Sequence, residues 1–198
     1  MGDKIKSSYE IAMEKADQIS KNTSEEDKIK FEIRNELKPL FAKYYKDKIS
    51  VEELWEELED EDEDYLIEAQ LMIIESLGLR SSQDEYRNRK KAILAIESLK
   101  NSQNTSGIEQ TLGNVRQLQQ QYNNERERLE NQLQKEAEKN TEMQMKPVQT
   151  EDGRTVMKLD AGLDQETKKK YNQAISNLES QSDQRFNNLI EELKAKVK

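Results

Sequence analysis

Residues 108–135 read IEQTLGNVRQLQQQYNNERERLENQLQK, and the architecture of the second half of the chain follows from them. Apolar side chains recur here every three or four residues, which is typical of one face of a helix. In a heptad frame the stripe comprises Leu112, Val115, Gln119, Tyr122, Arg126, Leu129, Leu133 and Glu136. Three of these eight positions are polar and a fourth is Tyr, so the stripe is too thin for a tight two-stranded coiled coil. It predicts one long helix over about residues 108–145.

A second long helical pattern covers residues 163–197. Its apolar residues repeat every eleven positions, with Ile175, Phe186 and Val197 in one series and Leu178 and Leu189 in another. Eleven residues in three turns correspond to about 3.67 residues per turn, which predicts a straight or slightly right-handed stripe.

The segment between these patterns is strand-like. Asp152-Gly153 is a strong hairpin-turn signal, β-branched residues lie on both sides of it, and Pro147 ends the preceding helical pattern. We therefore expect a long antiparallel helical hairpin, coiled-coil-like, over residues 108–198, with a short β-hairpin at its tip near 147–160. Helices of this length give arms on the order of 50 Å.

The first half of the chain predicts shorter helices. A Ser or Thr followed three residues later by Glu is the signature of a capping box, and five such pairs occur: Ser7/Glu10, Thr23/Glu26, Ser50/Glu53, Ser82/Glu85 and Ser106/Glu109. Pro39 lies inside the second helical pattern, so we expect a kink or a break near Leu37–Lys38.

The polar run NSQNTSG at residues 101–107 is the clearest linker. Residues 1–101 carry a net charge of −8 and residues 102–198 a net charge of −1. We therefore predict an all-α protein with an acidic N-terminal helical domain at 1–101, a linker at 102–107 and the long-helix hairpin at 108–198.

The composition excludes several kinds of chemistry. The 198 residues include no Cys and no His, so thiolate nucleophiles, thiol metal sites, His bases and His metal ligands are impossible. The net charge of −9 argues against duplex nucleic acid, which needs a basic surface. No apolar run is long enough to span a membrane, and the N-terminus lacks the apolar core of a signal peptide. We expect a cytoplasmic protein without a cofactor or a bound metal.

Residues 52–64 contain ten acidic side chains in thirteen positions. Asp60, Asp62 and Asp64 alternate as in an EF-hand loop, but Tyr65 and Leu71 stand where that loop needs Gly and Glu. We favour a solvated acidic surface over docking of a basic partner or weak cation binding.

The function predicted from these features is non-enzymatic. We expect a scaffold, an adaptor or a chaperone-like module that binds a protein partner, or a second copy of itself, through helix–helix contacts. The alternatives are a stalk subunit of a larger assembly and an enzyme that uses only carboxylate, Lys and Tyr chemistry. The residues expected to contact the partner are Leu112, Val115, Tyr122, Leu129, Leu133, Ile175, Leu178, Phe186, Leu189 and Leu193.

Two resemblances accompany this interpretation. The opening IKSSYEIAMEKA, residues 5–16, resembles the N-termini of an uncharacterised bacterial family of predicted helical proteins, which implies no activity. The order helix, β-hairpin, helix over residues 108–198 looks like the layout of a prefoldin subunit, a chaperone that holds unfolded clients at coiled-coil tips.

Overall fold

The computed structural model describes residues 24–143, 145–149, 155–159 and 165–198, with side chains described for 24–136 and 165–198. In this part of the chain the elements are α1 (Glu25–Tyr44), α2 (Val51–Glu56), α3 (Glu63–Glu75), α4 (Gln83–Glu97), α5 (Thr105–Met143), β1 (Met145–Gln149), β2 (Thr155–Leu159) and α6 (Gln165–Val197). The helical class predicted from the composition is confirmed. Within these ranges, no helix combines the length and the apolar character that crossing a membrane requires.

Serine caps begin three of the helices. Ser50 and Ser82 form the expected capping boxes, since each serine hydroxyl accepts from the backbone N–H of Glu53 or Glu85, whose carboxylate accepts from the serine N–H. For α1 the predicted pair was shifted by one residue, because Ser24 caps the helix with Asp27.

The cap predicted at Ser106 is wrong. Helix α5 begins at Thr105, and the N–H of Ile108 donates to the carbonyl of Asn104 at 3.0 Å. An Asn at this position is as good a cap residue as Ser, so the local pattern permits either start. Ser106 therefore lies inside the first turn of the helix. The predicted Ser7/Glu10 pair and the first predicted helix lie outside the described residues.

Helix α1 continues through Pro39 to Tyr44, so a break at this position is wrong, whereas the alternative of a kink stays a prediction. A proline inside a helix removes one backbone hydrogen bond and costs about 3 kcal/mol. Leu37, Phe41 and Tyr44 are buried on both sides of Pro39. Burying such side chains contributes about 1.5–3 kcal/mol each, which is enough to hold the helix together.

The acidic stretch separates two helices. Helix α2 ends at Glu56 and α3 begins at Glu63, so the intervening carboxylates lie outside regular helix. Like charges at helical spacing repel one another, which disfavours a continuous helix here. Asp62 also gives α3 its start, because its carboxylate accepts from the N–H of Tyr65 at 2.8 Å.

The chain divides into two compact units, and α3 and α4 contribute residues to both. Unit 1 comprises Met1–Ile73 and Lys91–Gln103. Its described core is apolar and consists chiefly of Leu37, Phe41, Leu54, Leu58, Leu66, Ile73, Ile93 and Ile96.

One polar network lies inside unit 1. The amide of the fully buried Gln70 donates to the carbonyl of Ile93 and to the carboxylate of Glu97, both at 2.9 Å. Lys100 pairs with the same carboxylate at 3.3 Å. The charges are therefore mutually satisfied, as burial requires. Trp55 is half-buried and donates its indole N–H to the hydroxyl of Ser98.

Unit 2 comprises Ile74–Lys90 and Asn104–Lys198. Strands β1 and β2 in this unit pair antiparallel, from Met145 opposite Leu159 to Gln149 opposite Thr155. The predicted turn at Asp152-Gly153 lies outside the described residues. The unit differs from the domain predicted at 108–198, because it also takes in Ile74–Lys90, and because Thr105–Gly107 belong to α5 rather than to a linker.

Candidate protein-interaction surface

Helices α5 and α6 lie side by side in opposite directions. The hydroxyl of the buried Thr111 contacts Glu192 at 3.0 Å and Lys196 at 2.7 Å. Further along, a shallow open groove of about 420 Å³ is lined by Asn114, Gln117, Leu118, Gln121, Arg185, Asn188, Leu189 and Glu192. Residue numbers rise along α5 as they fall along α6. By this register Leu129 lies at the level of Leu178.

Half of the residues predicted to contact a partner are buried inside unit 2. They are Leu112, Val115, Tyr122, Phe186 and Leu193, each at most 7% exposed. Residues Ile74–Lys90, here called the cover segment, belong to the same core and contribute the buried side chains Leu77, Leu79 and Tyr86. These positions hold the unit together and are not accessible to another protein.

The other predicted contact residues are half-buried. They are Leu129, Leu133, Ile175, Leu178 and Leu189. Four of them lie beyond Tyr122 in α5 and before Ser182 in α6. We call residues 123–136 and 165–181 the arm, and its four apolar side chains Leu129, Leu133, Ile175 and Leu178 the arm stripe.

On α5, the change from buried to half-buried occurs where the contacts of the cover segment end. Tyr86 donates its hydroxyl to the carbonyl of Leu112 at 2.7 Å. Gln119 donates to the carbonyl of Gly78 at 2.8 Å. These contacts lie beside the buried part of α5. The same apolar stripe is therefore a core where the cover segment packs on it and an open surface farther along.

Arg80 marks this transition. Its Nε donates to the Tyr122 hydroxyl at 3.0 Å, and its Nη2 contacts Glu179 at 2.8 Å. The guanidinium carbon also lies 5.6 Å from the centre of the Tyr122 ring. The hydrogen bond with Tyr122, helped by the charge of Glu179, raises the pKa of Arg80. One loop residue thus joins both long helices at the base of the arm.

The arm carries balanced charge. It contains six acidic and six basic side chains, although the whole chain has a net charge of −9. Exposed ion pairs join Arg126 with Glu130 at 2.9 Å and Lys170 with Glu166 at 2.7 Å. Such pairs contribute a few tenths of a kcal/mol each. They keep the helix surface polar on either side of the arm stripe.

The other face of the arm is polar. A second open groove of about 480 Å³ on α5 is lined by Asn124, Glu127, Arg128, Asn131, Gln132 and Lys135. This lining contains no apolar side chain. This part of the α5 surface therefore offers no apolar contact to a partner.

The acidic stretch shows no ligand geometry. Among the described residues, no group of three or more carboxylates is placed to hold a metal ion. The pKa of Glu52 is lowered because backbone N–H groups and the Ser50 hydroxyl stabilise its carboxylate as part of the α2 start. The pKa of Glu85 is lowered for the same reason at the start of α4. These shifts reflect helix capping.

Sequence reasoning missed Arg80 and the rest of the cover segment. Arg80 follows Gly78 in a short loop, and no periodicity marks it. Gln119 in the apolar stripe is a partial indication that another segment packs here. A polar residue in such a stripe requires a hydrogen-bond partner when it is buried, and Gln119 is fully buried.

The match with a known protein family includes the residues of this surface. The family described as "Family of unknown function (DUF6657)" matches residues 51–198. The chain belongs to this family. The matched range includes the cover segment, α5 and α6. Membership of an uncharacterised family is thus confirmed, whereas the resemblance at residues 5–16 lies outside the matched range.

No curated protein and no solved structure matches the chain. The prefoldin-like layout therefore stays a prediction.

Proposed function

We propose that this member of DUF6657 is a non-enzymatic protein-binding module, a scaffold, adaptor or chaperone-like protein, built on an antiparallel long-helix hairpin. Its partner binds at the arm stripe. The observation that carries this proposal is one stripe of mainly apolar positions on α5, whose apolar members are buried up to Tyr122 and half-buried from Leu129 onward.

The chemistry of the arm favours a helical partner. Leu129 and Leu133 are four residues apart, and Ile175 and Leu178 three, so both pairs lie on single helix faces. An amphipathic helix binds such a surface with its own apolar residues at the same spacing. The ion pairs beside the stripe would form the polar rim that protein interfaces commonly have.

The shifted carboxyl groups have structural causes. In the described part of the chain these groups are Asp27, Glu52, Glu85 and Glu192, and the pKa of each is lowered by hydrogen bonds. A general acid at neutral pH needs the opposite shift. The enzyme alternative therefore gains no observation in its favour. A stalk subunit would use the same surface as the proposed module.

Site-specific photo-crosslinking in living cells tests the proposal. A photoreactive amino acid is placed at Leu129 or at Ile175, with Asn131 as the matched control on the exposed polar face of α5. We expect covalent adducts with protein at the two stripe positions and none at the control. Adducts at all three positions in equal yield, or at none of them, would contradict binding through the arm stripe.

A further inference from the structure

We infer that the partner at the arm stripe is a second copy of this chain, bound arm to arm in the opposite direction so that the two arms form a four-helix bundle. This inference rests on the proposed function and names the partner for the same surface.

The packing within unit 2 indicates that further helices are needed to bury the arm stripe. Near Leu112 and Leu193 the long helices pack together with the cover segment. The side chains of Leu112 and Leu193 are fully buried. In the described part of the chain, the apolar side chains at the arm come from α5 and α6, and these stay half-buried. Two further helices would complete the burial. A second arm supplies two helices that carry the same stripe.

The distribution of charge sets the direction of the second copy. The base of the arm, residues 123–130 and 176–181, has four acidic and two basic side chains. The tip side, residues 131–136 and 165–175, has two acidic and four basic side chains, three of them Lys168, Lys169 and Lys170.

Over the described side chains, each arm therefore has a net negative charge at its base and a net positive charge toward its tip. A copy in the same direction would place like charges side by side. A copy in the opposite direction places the positive end of each arm against the negative end of the other, which is favourable. The resulting contact uses the same patch on both copies, as a twofold dimer requires.

The area that two arms would bury on pairing is that of a weak dimer. At about 1.5 Å per residue, the described arm is roughly 20–25 Å long. Two helices side by side present a face about 20 Å wide, since packed helix axes lie 8–10 Å apart. Pairing would bury about 500 Å² on each copy, or about 1,000 Å² in total, which is near the lower limit for a specific interface. We therefore expect reversible association with a dissociation constant in the micromolar range.

Sedimentation velocity of the full chain, at concentrations up to about 200 µM, measures this association. The arm variant replaces Lys168, Lys169 and Lys170 by Glu. The matched control replaces three exposed lysines of unit 1, Lys30, Lys43 and Lys46, by Glu and changes the net charge equally. Circular dichroism checks that each variant keeps the helical content of the wild type.

We expect the wild type to dimerise and the arm variant to bind itself at least about tenfold more weakly, with the control changed less than about threefold. A second variant, Glu125→Lys with Glu127→Lys and Glu130→Lys, reverses the base of the arm. It should self-associate poorly, and mixing it with the first arm variant should restore dimers.

Three results would overturn the inference: a monomeric wild type over the whole concentration range, equal weakening in the arm variant and the control, or no recovery in the mixture. The proposed function fails separately. If the wild type is monomeric but photo-crosslinking at Leu129 captures a different protein, the arm is a binding surface whose partner is not a second copy.

Discussion

Arg80 illustrates how one side chain can hold two distant parts of a sequence together. It contacts Tyr122 and Glu179, which lie 42 and 99 residues away along the chain. The hydrogen bond, the partly exposed ion pair and the contact with the Tyr122 ring each contribute about 0.5–1 kcal/mol.

We expect Arg80→Ala to lower the free energy of unfolding by about 1–2 kcal/mol and Tyr122→Phe, which removes only the hydroxyl, by about half as much. Urea unfolding monitored by circular dichroism measures both changes. Arg87→Ala is the control, because Arg87 is exposed and pairs with Asp84 at 3.4 Å in the same helix. Equal losses for Arg80→Ala and Arg87→Ala would show that Arg80 does not join the two long helices.

Tyr44 makes stability depend on alkaline pH. Burial, with smaller contributions from Tyr45 and Asp47, raises the pKa of Tyr44 from 10.0 to about 12. Above pH 10 the unfolded chain loses the phenolic proton while the folded chain keeps it, so stability is present below pH 10 and falls as the pH rises toward 12.

At pH 11 the loss attributable to Tyr44 should be about 1 kcal/mol. Urea unfolding of the wild type and of Tyr44→Phe at pH 8, 10 and 11 gives the two slopes of stability against pH. We expect a shallower slope for the variant. Some dependence should remain, because burial also raises the pKa values of Tyr65 and Tyr86. Identical slopes would mean that Tyr44 does not titrate abnormally.

The acidic stretch at residues 52–64 allows a test of its solvated character. Replacing Asp60, Asp62 and Asp64 by Asn removes repulsion of roughly a few tenths of a kcal/mol per like-charge pair. The Asp62→Asn change keeps a side-chain oxygen that can accept from the N–H of Tyr65, so the start of α3 is preserved.

We expect the variant to melt at the same or a slightly higher temperature than the wild type, with a weaker dependence on salt. Millimolar calcium should stabilise neither protein beyond the effect of matched ionic strength. A calcium-dependent rise in the melting temperature of the wild type that the triple variant lacks would instead identify a cation site.

The starts of the helices were predictable because their causes are local. Ser50 and Ser82 satisfy backbone groups three residues away, and this spacing is visible in the sequence. The passage of α1 through Pro39 was not predictable, because the burial that offsets the lost hydrogen bond comes from other helices. The predicted start of α5 lies two or three residues too late because Asn104 and Ser106 are both suitable caps.

At the scale of the whole molecule, the apolar residues of the long helices were predictable but their division into core and surface was not. Leu112 and Leu129 look alike in the sequence, yet one is fully buried and the other half-buried. The difference comes from the cover segment, whose packing on α5 depends on tertiary contacts. The domain division at 102–107 stays a prediction.

Two fragments test this division. Residues 104–198 correspond closely to the hairpin domain predicted from the sequence, whereas residues 74–198 also retain the cover segment. Without the cover segment, the side chains that pack with Leu77, Leu79 and Tyr86 are exposed to water. Each of these three side chains contributes about 1.5–3 kcal/mol when fully buried, so the shorter fragment should lose several kcal/mol.

We therefore expect 74–198 to melt cooperatively and 104–198 to melt at a much lower temperature or without a cooperative transition, as followed by circular dichroism at about 222 nm, the usual helix band. The variant Tyr86→Ala in the longer fragment should fall between the two, because it removes one buried ring and the hydrogen bond to the carbonyl of Leu112. If both fragments melt at the same temperature, the long helices form a domain by themselves and the cover segment adds nothing to its stability.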